Sequence, residues 1–311
     1  MDIFTLKMRQ SMSLEDKIRF SKKRIEEWVY YFGMDGCYVS FSGGKDSTVL
    51  LHLVRSIYPQ IKAMFVDTGL EYPEIKQFVK SIENVDIIRP KKKFNEVIEE
   101  YGYPIISKEV SECVGQARKA LTTGKYTYRL QRLQGTLLDK EGNLSKYNHK
   151  KWEFLLDAPF KISNQCCNVM KKGPAHKYYK ETGRVPMIGT LAEESRLRTQ
   201  KYLKQGCNGF NNKIPTSTPL AFWTEQDILE YLVKFNVPYA SVYGDIVQDK
   251  KGKYYTTGCQ RTGCMFCGFG CHLEKSPNRF QKLKETHPKQ YDYIINKLGF
   301  GPVLDYINVP Y

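Results

Sequence analysis

One segment of the chain fixes a local fold before the rest is read. Cys37-Tyr38-Val39-Ser40-Phe41 is followed by Ser42-Gly43-Gly44-Lys45-Asp46-Ser47 and then by Thr48-Val49-Leu50-Leu51-His52-Leu53-Val54. An apolar run, two adjacent glycines and an apolar helical stretch spell a strand, a turn and a helix start. The glycines allow φ > 0 and let a ligand approach with no Cβ in the way. Successive N–H groups and the new helix's N-terminus then face one point, which suits an anion such as phosphate. Ser47 is placed to cap the helix. A plain strand–turn–helix corner would need neither both hydroxyls nor the charged pair Lys45-Asp46. The spacing is not that of the Walker loop, G-x-x-x-x-G-K-[ST].

Strand-like runs recur at 37–41, 62–66 and 85–88, separated by helical patterns at 47–57, 73–82 and 94–101. Pro73 stands where a first helical turn tolerates proline. An amphipathic helix is expected over about 14–32, with Ile18, Phe20, Ile25, Trp28 and Val29 on its apolar face. Val185-Pro186-Met187-Ile188 reads as a fourth strand ending at Gly189-Thr190. A capping box at Thr224-Glu225-Gln226-Asp227 opens a helix to about Phe235. Alternating strands and helices predict an α/β fold, a doubly wound, mostly parallel sheet with helices on both faces. Its ligands would bind at the carboxyl ends of the strands, where the 42–47 turn lies. The expected organisation is an N-terminal helical segment (1–34), a nucleotide-binding domain (35–240) carrying a basic insertion at about 105–160, and a Cys-rich C-terminal segment (241–311).

Lys plus Arg exceed Asp plus Glu by 48 − 33 = 15 in the 311 residues. The expected partner of such an excess is polyanionic: nucleic acid, or at least a nucleotide. Lys125-Tyr126-Thr127-Tyr128-Arg129-Leu130-Gln131-Arg132 interleaves bases and aromatics, a pattern that suits phosphate contacts with base stacking or, equally, a solvated helix face. No apolar run approaches the ~20 residues of a membrane span, and the first residues carry no secretory pattern. A cytoplasmic protein without membrane partners is expected. Nine cysteines in such a compartment point to metal or redox chemistry rather than disulfides.

The 42–47 hexamer resembles the S-G-G-x-D-S pyrophosphate loop of the N-type ATP pyrophosphatases, the PP-loop superfamily of adenine nucleotide alpha hydrolase-like fold. Its members cleave ATP between the α and β phosphates and activate an oxygen as an adenylate. The sulfonucleotide (PAPS and adenylyl-sulfate) reductases use the same loop for an already activated nucleotide. Further segments are similar to that branch in order and spacing over most of 35–270. Val66-Asp67-Thr68-Gly69 looks like its D-T-G segment beside the nucleotide. Gly189-Thr190-Leu191-Ala192-Glu193-Glu194-Ser195-Arg196-Leu197-Arg198 resembles G-x-R-x-x-E-S-x-x-R, with Thr190-Leu191 departing from the usual arginine. Pro219-Leu220-Ala221-Phe222-Trp223-Thr224-Glu225-Gln226-Asp227-Ile228 resembles P-L-x-x-W-T-x-x-D-[IV], and Val237-Pro238-Tyr239 follows as I-P-Y does.

The resemblance implies that Ser42, Gly43, Gly44, Asp46, Ser47, Asp67, Thr68, Gly69, Gly189, Thr190, Glu194 and Ser195 hold an adenine nucleotide, ATP or PAPS/adenylyl sulfate. Lys45 would neutralise phosphate oxygens or face solvent. Asp46 would hold Mg²⁺ or order the loop. Arg196 and Arg198 are candidates for a sulfate or phosphate clamp, against surface pairing with Glu193 and Glu194.

Cys166-Cys167-Asn168-Val169-Met170-Lys171-Lys172-Gly173-Pro174 is similar to C-C-x-x-[RK]-K-x-x-P of the adenylyl-sulfate reductases, which hold a [4Fe-4S] cluster with adjacent cysteines and a distant C-x-x-C. That resemblance implies Cys166, Cys167, Cys264 and Cys267 as ligands. A rival set is Cys259, Cys264, Cys267 and Cys271, within thirteen residues, as a zinc knuckle or a cluster. A cysteine ahead of G-C-x-x-C also resembles the DNA-phosphorothioation members. Cys37 and Cys113 read as buried structural thiols.

Sulfonucleotide reductases carry a redox cysteine in an E-C-G-L-H-like tail; here the last cysteine is Cys271. Cys207 or Cys271 would have to replace that nucleophile. The leading expectation is therefore ATP-dependent sulfur transfer to a nucleic acid, with a sulfur-donor protein such as a cysteine desulfurase. The alternatives are a reductase with a relocated nucleophile, or a nucleotide-binding module whose cluster is structural.

Overall fold

A computed structural model describes residues 1–311 as two compact units. The first comprises Met1–Asp67, Glu71–Arg89 and Pro174–Thr262, and the second Thr68–Leu70, Pro90–Gly173 and Gly263–Tyr311. The whole basic stretch and most of the Cys-rich segment thus belong to the second unit. No helix is long and apolar enough to cross a membrane.

The first unit holds a six-stranded sheet. In chain order its strands are β1 (Cys37–Ser40), β2 (Ala63–Val66), β3 (Val85–Ile88), β5 (Val185–Ile188), β6 (Asn208–Gly209) and β7 (Thr216–Ser217). Spatially they run β3-β2-β1-β5-β7-β6, all parallel except β6 against β7. The strand order reverses between β1 and β5, which are in register from Cys37↔Val185 to Ser40↔Ile188. Crevices at the carboxyl ends of strands flanking such a reversal are where doubly wound sheets bind ligands. The predicted fold class is therefore the observed one.

Helices α1 (Ile3–Gln10), α2 (Leu14–Phe32), α3 (Lys45–Arg55), α4 (Pro73–Lys80), α8 (Gly173–Thr182), α9 (Arg196–Gln205) and α10 (Glu225–Lys234) flank this sheet. Two short strands, β8 (Ile246–Gln248) and β9 (Tyr254–Thr256), form a separate antiparallel ladder. The core gathers Ile25, Trp28, Val39, Val49, Leu50, Phe222 and Trp223, each fully buried. Burying a large apolar side chain stabilises by about 1.5–3 kcal/mol, and the polar handle of Trp223 is satisfied. Its Nε1–H donates to Ser21 Oγ at 2.9 Å, and that hydroxyl donates to the Pro219 carbonyl at 2.9 Å. Lys17, also buried, puts its Nζ 2.7 Å from both Asp227 oxygens. Asp227 in turn completes the predicted capping box with Thr224 at the start of α10.

The second unit carries α5 (Phe94–Tyr101), α6 (Lys108–Thr123), α7 (Thr127–Gln134), α11 (Arg279–Thr286), α12 (Pro288–Asp292) and α13 (Phe300–Tyr306). Its small ladder pairs β4 (Ile105–Ile106) in parallel with β10 (Gly268–Phe269). Tyr103, Phe280 and Phe300 pack there, with Phe300 5.3 Å from the Tyr103 ring and 5.8 Å from that of Phe280. The Arg118 guanidinium on α6 donates to the carbonyls of Leu155, Leu156, Ala158 and Phe160 at 2.7–3.1 Å, fixing the 150–160 segment to that helix.

Candidate functional site

The turn predicted from the sequence follows β1 directly, and its local chemistry differs from the expectation in two respects. Only Gly43 takes a positive φ, 71°, and a Cβ there would lie 2.8 Å from Ile75 Cγ2 and 2.9 Å from Val79 Cγ2. Gly44 is the N-cap of α3, at φ −77°, with no side-chain cap. Ser47 does not cap the helix, because the helix begins two residues before it. Its hydroxyl instead accepts from the Ser42 N–H at 3.1 Å and donates to the Gly44 carbonyl at 2.9 Å. The two loop serines are thus linked, with their oxygens 3.0 Å apart. Across the reversal, Gly189 closes against the same helix start: a Cβ on it would meet the Asp46 carbonyl at 2.8 Å. Glycine after β5 is required by this approach.

The loop donors are engaged by hydroxyls. The Gly44 N–H donates to Ser42 Oγ at 3.3 Å and the Lys45 N–H to the Tyr243 hydroxyl at 3.1 Å. Tyr243 is buried, its phenol pushed up to about 12 by burial, and its oxygen lies 2.5 Å from Thr262 Oγ1. Lys45 is buried as well, and neither faces solvent nor stands clear for a phosphate. Its Nζ lies 2.5 Å from Glu225 Oε1 and donates to the Gln260 carbonyl at 2.6 Å.

Burial raises the Asp46 carboxyl above the ordinary range, and Glu225 adds to the rise while Lys45, Arg261 and Arg198 oppose it. Glu194 is the hinge of the basic side. It ion-pairs with Arg198, lies 3.8 Å from Arg261, and accepts from the Leu191 N–H at 3.0 Å. Ser195 caps α9 by accepting from the Arg198 N–H at 3.3 Å. Arg198 therefore has the carboxylate partner considered for it. Arg196 is exposed, and the neighbouring Glu193 accepts from the Glu225 N–H at 2.7 Å. Asp67, at the end of β2, is buried between Lys76 Nζ at 2.9 Å and Arg89 Nε at 3.3 Å. Thr68 and Gly69 belong to the second unit, where Thr68 Oγ1 accepts from the Leu70 N–H at 3.2 Å.

The structure thus gathers Ser42, Lys45, Asp46, Ser47, Gly189, Glu194 and Arg198 in the first unit around the ends of β1 and β5. Sequence reasoning missed Tyr243, Gln260, Arg261 and Thr262 as their partners. The one signal was the short echo Thr257-Gly258-Cys259 and Thr262-Gly263-Cys264, which brackets the last three.

None of the nine cysteines is in a disulfide. Cys166, Cys167, Cys264 and Cys267 all lie in the second unit, whereas Cys259 lies in the first. The sulfurs of Cys166 and Cys167 are 4.0 Å apart. Cys166 is pushed up by its hydrogen bond to Cys167, by burial and by nearby Cys267 and Cys264, and Cys167 is correspondingly held down, with Lys108, Lys171 and Lys172 assisting. Four thiols within electrostatic reach of one another, ringed by cations, suit a polynuclear cluster whose net charge is negative. Cys271, of the rival set, is buried and donates its S–H to the Gly268 carbonyl at 3.0 Å.

Residues 36–135 and 95–268 match the phosphoadenosine phosphosulfate reductase domain family. Over 302 residues the chain is 23% identical to an uncharacterized protein of Methanocaldococcus jannaschii, which covers 92% of this chain but only 56% of that protein. It is 23% identical over 238 residues to an adenosine 5'-phosphosulfate reductase of Staphylococcus haemolyticus, 75% of each chain. Among solved structures, the phosphate complex of PAPS reductase from Candida auris aligns with a TM-score of 0.41 and 15% identity, over 78% of this chain and 98% of that one. The U34-tRNA thiolase NcsA from Methanococcus maripaludis, with its [4Fe-4S] cluster, aligns with a TM-score of 0.36 and 14% identity, over 93% of this chain and 80% of that one.

Proposed function

The chain belongs to the phosphoadenosine phosphosulfate reductase family, and from that membership we propose that it is an ATP-dependent sulfurtransferase acting on a nucleic acid. The observation that carries the nucleotide half is the turn itself. Gly43 at φ 71° leads into the start of α3, where the N–H groups of Gly44 and Lys45 donate to the hydroxyls of Ser42 and Tyr243, and a helix start of this kind suits a phosphate. Arg198 and Arg261 flank Asp46 as the cations a polyphosphate needs. Asp46 is the residue for Mg²⁺, which binds through one carboxylate and substrate phosphates.

In the proposed reaction an acceptor oxygen bonds to the α-phosphorus, the bond from that phosphorus to the bridging oxygen of the β-phosphate breaks, and pyrophosphate leaves. Sulfur at the sulfide level then displaces the adenylated oxygen, releasing AMP. No electrons are exchanged. Cys166, Cys167, Cys264 and Cys267 would hold the [4Fe-4S] cluster, which when bound supplies the sulfide. A cysteine desulfurase-type donor would replenish it, together with a two-electron thiol reductant that brings its persulfide sulfur to the sulfide level.

The reading of a reductase with a relocated nucleophile is less well supported. Such an enzyme needs an accessible thiolate. Cys207 is buried with its thiol pushed up to about 12, and Cys271 is buried with its thiol at about 11. The net charge of +15 favours a polyanionic acceptor over a small sulfonucleotide alone. Anaerobic assay of pyrophosphate release with ATP, PAPS and nucleic acids in turn tests the reading. Acceptor-dependent release from ATP supports it, and reduction of PAPS or adenylyl sulfate without release overturns it.

A further inference from the structure

The second unit has an open cavity of about 530 Å³ lined by Gly135, Asn148, His149, Lys150, Lys151 and Trp152, among others. It is of a size that holds one nucleoside-like group. Its wall is rigid, since Arg118 ties the segment beyond Trp152 to α6 through four carbonyls. Asn148 donates to the carbonyls of Gly135 and Leu137 at 3.1 and 3.0 Å, which orients its amide, and its Oδ1 has no hydrogen-bond partner.

The surrounding surface pairs cations with aromatic rings. Lys151 Nζ stands 4.8 Å from the Trp152 ring centroid, Lys146 Nζ 5.5 Å from Tyr147, and the Arg129 guanidinium carbon 5.6 Å from Tyr128, while Arg132 beneath is buried and paired with Glu109 at 2.6 Å. Tyr126, Tyr128, Tyr147 and Phe154 are all exposed. Residues 125–152 carry seven Lys and Arg against two acidic residues, a net +5. Rings available for stacking, interleaved with cations, are the combination that binds unpaired bases and their phosphates. A duplex, whose bases are already stacked, has no use for the rings.

We propose that this cavity binds single-stranded nucleic acid, with Trp152 as the stacking platform for one base and Lys150 and Lys151 on the adjoining phosphates. The proposal deepens the acceptor reading above and rests on it.

The test is fluorescence anisotropy of dye-labelled single-stranded 12-mers, one RNA and one DNA, titrated with the full chain over a salt series. Duplex DNA and AMP serve as competitors, and binding of a non-hydrolysable ATP analogue is measured in parallel. Trp152→Ala is expected to weaken strand binding about 5- to 100-fold, and Trp152→Phe to retain most of it. Lys150→Glu/Lys151→Glu is expected to weaken binding and flatten its salt dependence. ATP-analogue affinity is unchanged in all three, and a far-UV circular dichroism spectrum and melting curve like those of the wild type report that both units are folded. Unchanged strand affinity in these variants overturns this site while leaving the acceptor reading standing. Duplex or AMP competing as well as the single strand also overturns it. A wild-type chain that binds no nucleic acid at all overturns both, whatever its ATP chemistry.

Discussion

The backbone N–H of Lys45 is held by the hydroxyl of Tyr243 across 3.1 Å, from a residue 198 positions further along the chain. A phosphate oxygen arriving at the turn meets a donor that is already satisfied. Tyr243 and Thr262 thus brace the loop, and a phosphate bound at the turn as proposed would compete with the Tyr243 hydroxyl.

Removing the competitor should separate stability from affinity. Tyr243→Phe leaves the Lys45 N–H without its partner, a cost of about 1–3 kcal/mol for a buried donor, and a bound phosphate would relieve it. The variant is expected to melt lower than wild type and to bind an ATP analogue about fivefold more tightly or better by calorimetry. Weaker binding with unchanged melting contradicts this account of the loop.

Asp46 gives a pH dependence with a definite sign. Its carboxyl is raised by burial. The folded chain therefore holds that proton more tightly than the unfolded chain. The associated stability is complete below the unfolded value of about 3.9 and is lost as pH rises through the raised folded value. Asp46→Asn should consequently be more stable than wild type at neutral pH, with the gap in melting temperature closing as pH falls toward 4. The same variant should lose at least tenfold in Mg²⁺-dependent nucleotide affinity. A gap that widens on acidification refutes the assignment.

Asp227 occupies the D of the P-L-x-x-W-T-x-x-D segment, and in this structure its role is architectural. Both its oxygens face buried Lys17 at 2.7 Å while it caps α10. Breaking a buried pair by removing one partner costs about 3–5 kcal/mol. Lys17→Met should show that loss in urea unfolding, with much of it recovered in Lys17→Met/Asp227→Asn. A loss below about 1 kcal/mol would mean that the pair is not held in solution.

The cysteine assignment is checked by iron and sulfide analysis after anaerobic purification. Cys166→Ala/Cys167→Ala is expected to lose its iron, and Cys271→Ala, whose S–H is committed to the Gly268 carbonyl, to keep it. Full iron in the double variant removes Cys166 and Cys167 from the ligand set.

The sheet and its flanking helices were legible because local signals agreed: β-rich runs at 37–41, 62–66 and 85–88, Pro73 at a helix start, and a capping box at Thr224. The partners of the turn were not legible. Tyr243, Gln260 and Arg261 reach it only through tertiary packing, and nothing in their own neighbourhoods marks them beyond a three-residue echo. Lys45 shows the limit most clearly. Its position in the turn suggested a phosphate or solvent, yet burial of its ammonium made a carboxylate necessary, and Glu225, one residue after the cap of a distant helix, provides it. Ser47 was misread as a cap because the helix start was placed two residues late, and boundaries are the part of a helix that periodicity fixes least.

The site is proposed to break ATP at its α-phosphorus and so activate a nucleic acid for sulfur. The most direct measurement is anaerobic incubation of the cluster-bearing chain with Mg²⁺, ATP and a sulfide source, with and without single-stranded nucleic acid, counting AMP, pyrophosphate and incorporated sulfur. The three are expected in equal amounts and only when the acceptor is present. Sulfite and an adenine nucleotide formed from PAPS or adenylyl sulfate, with ATP left intact in every mixture, would contradict it.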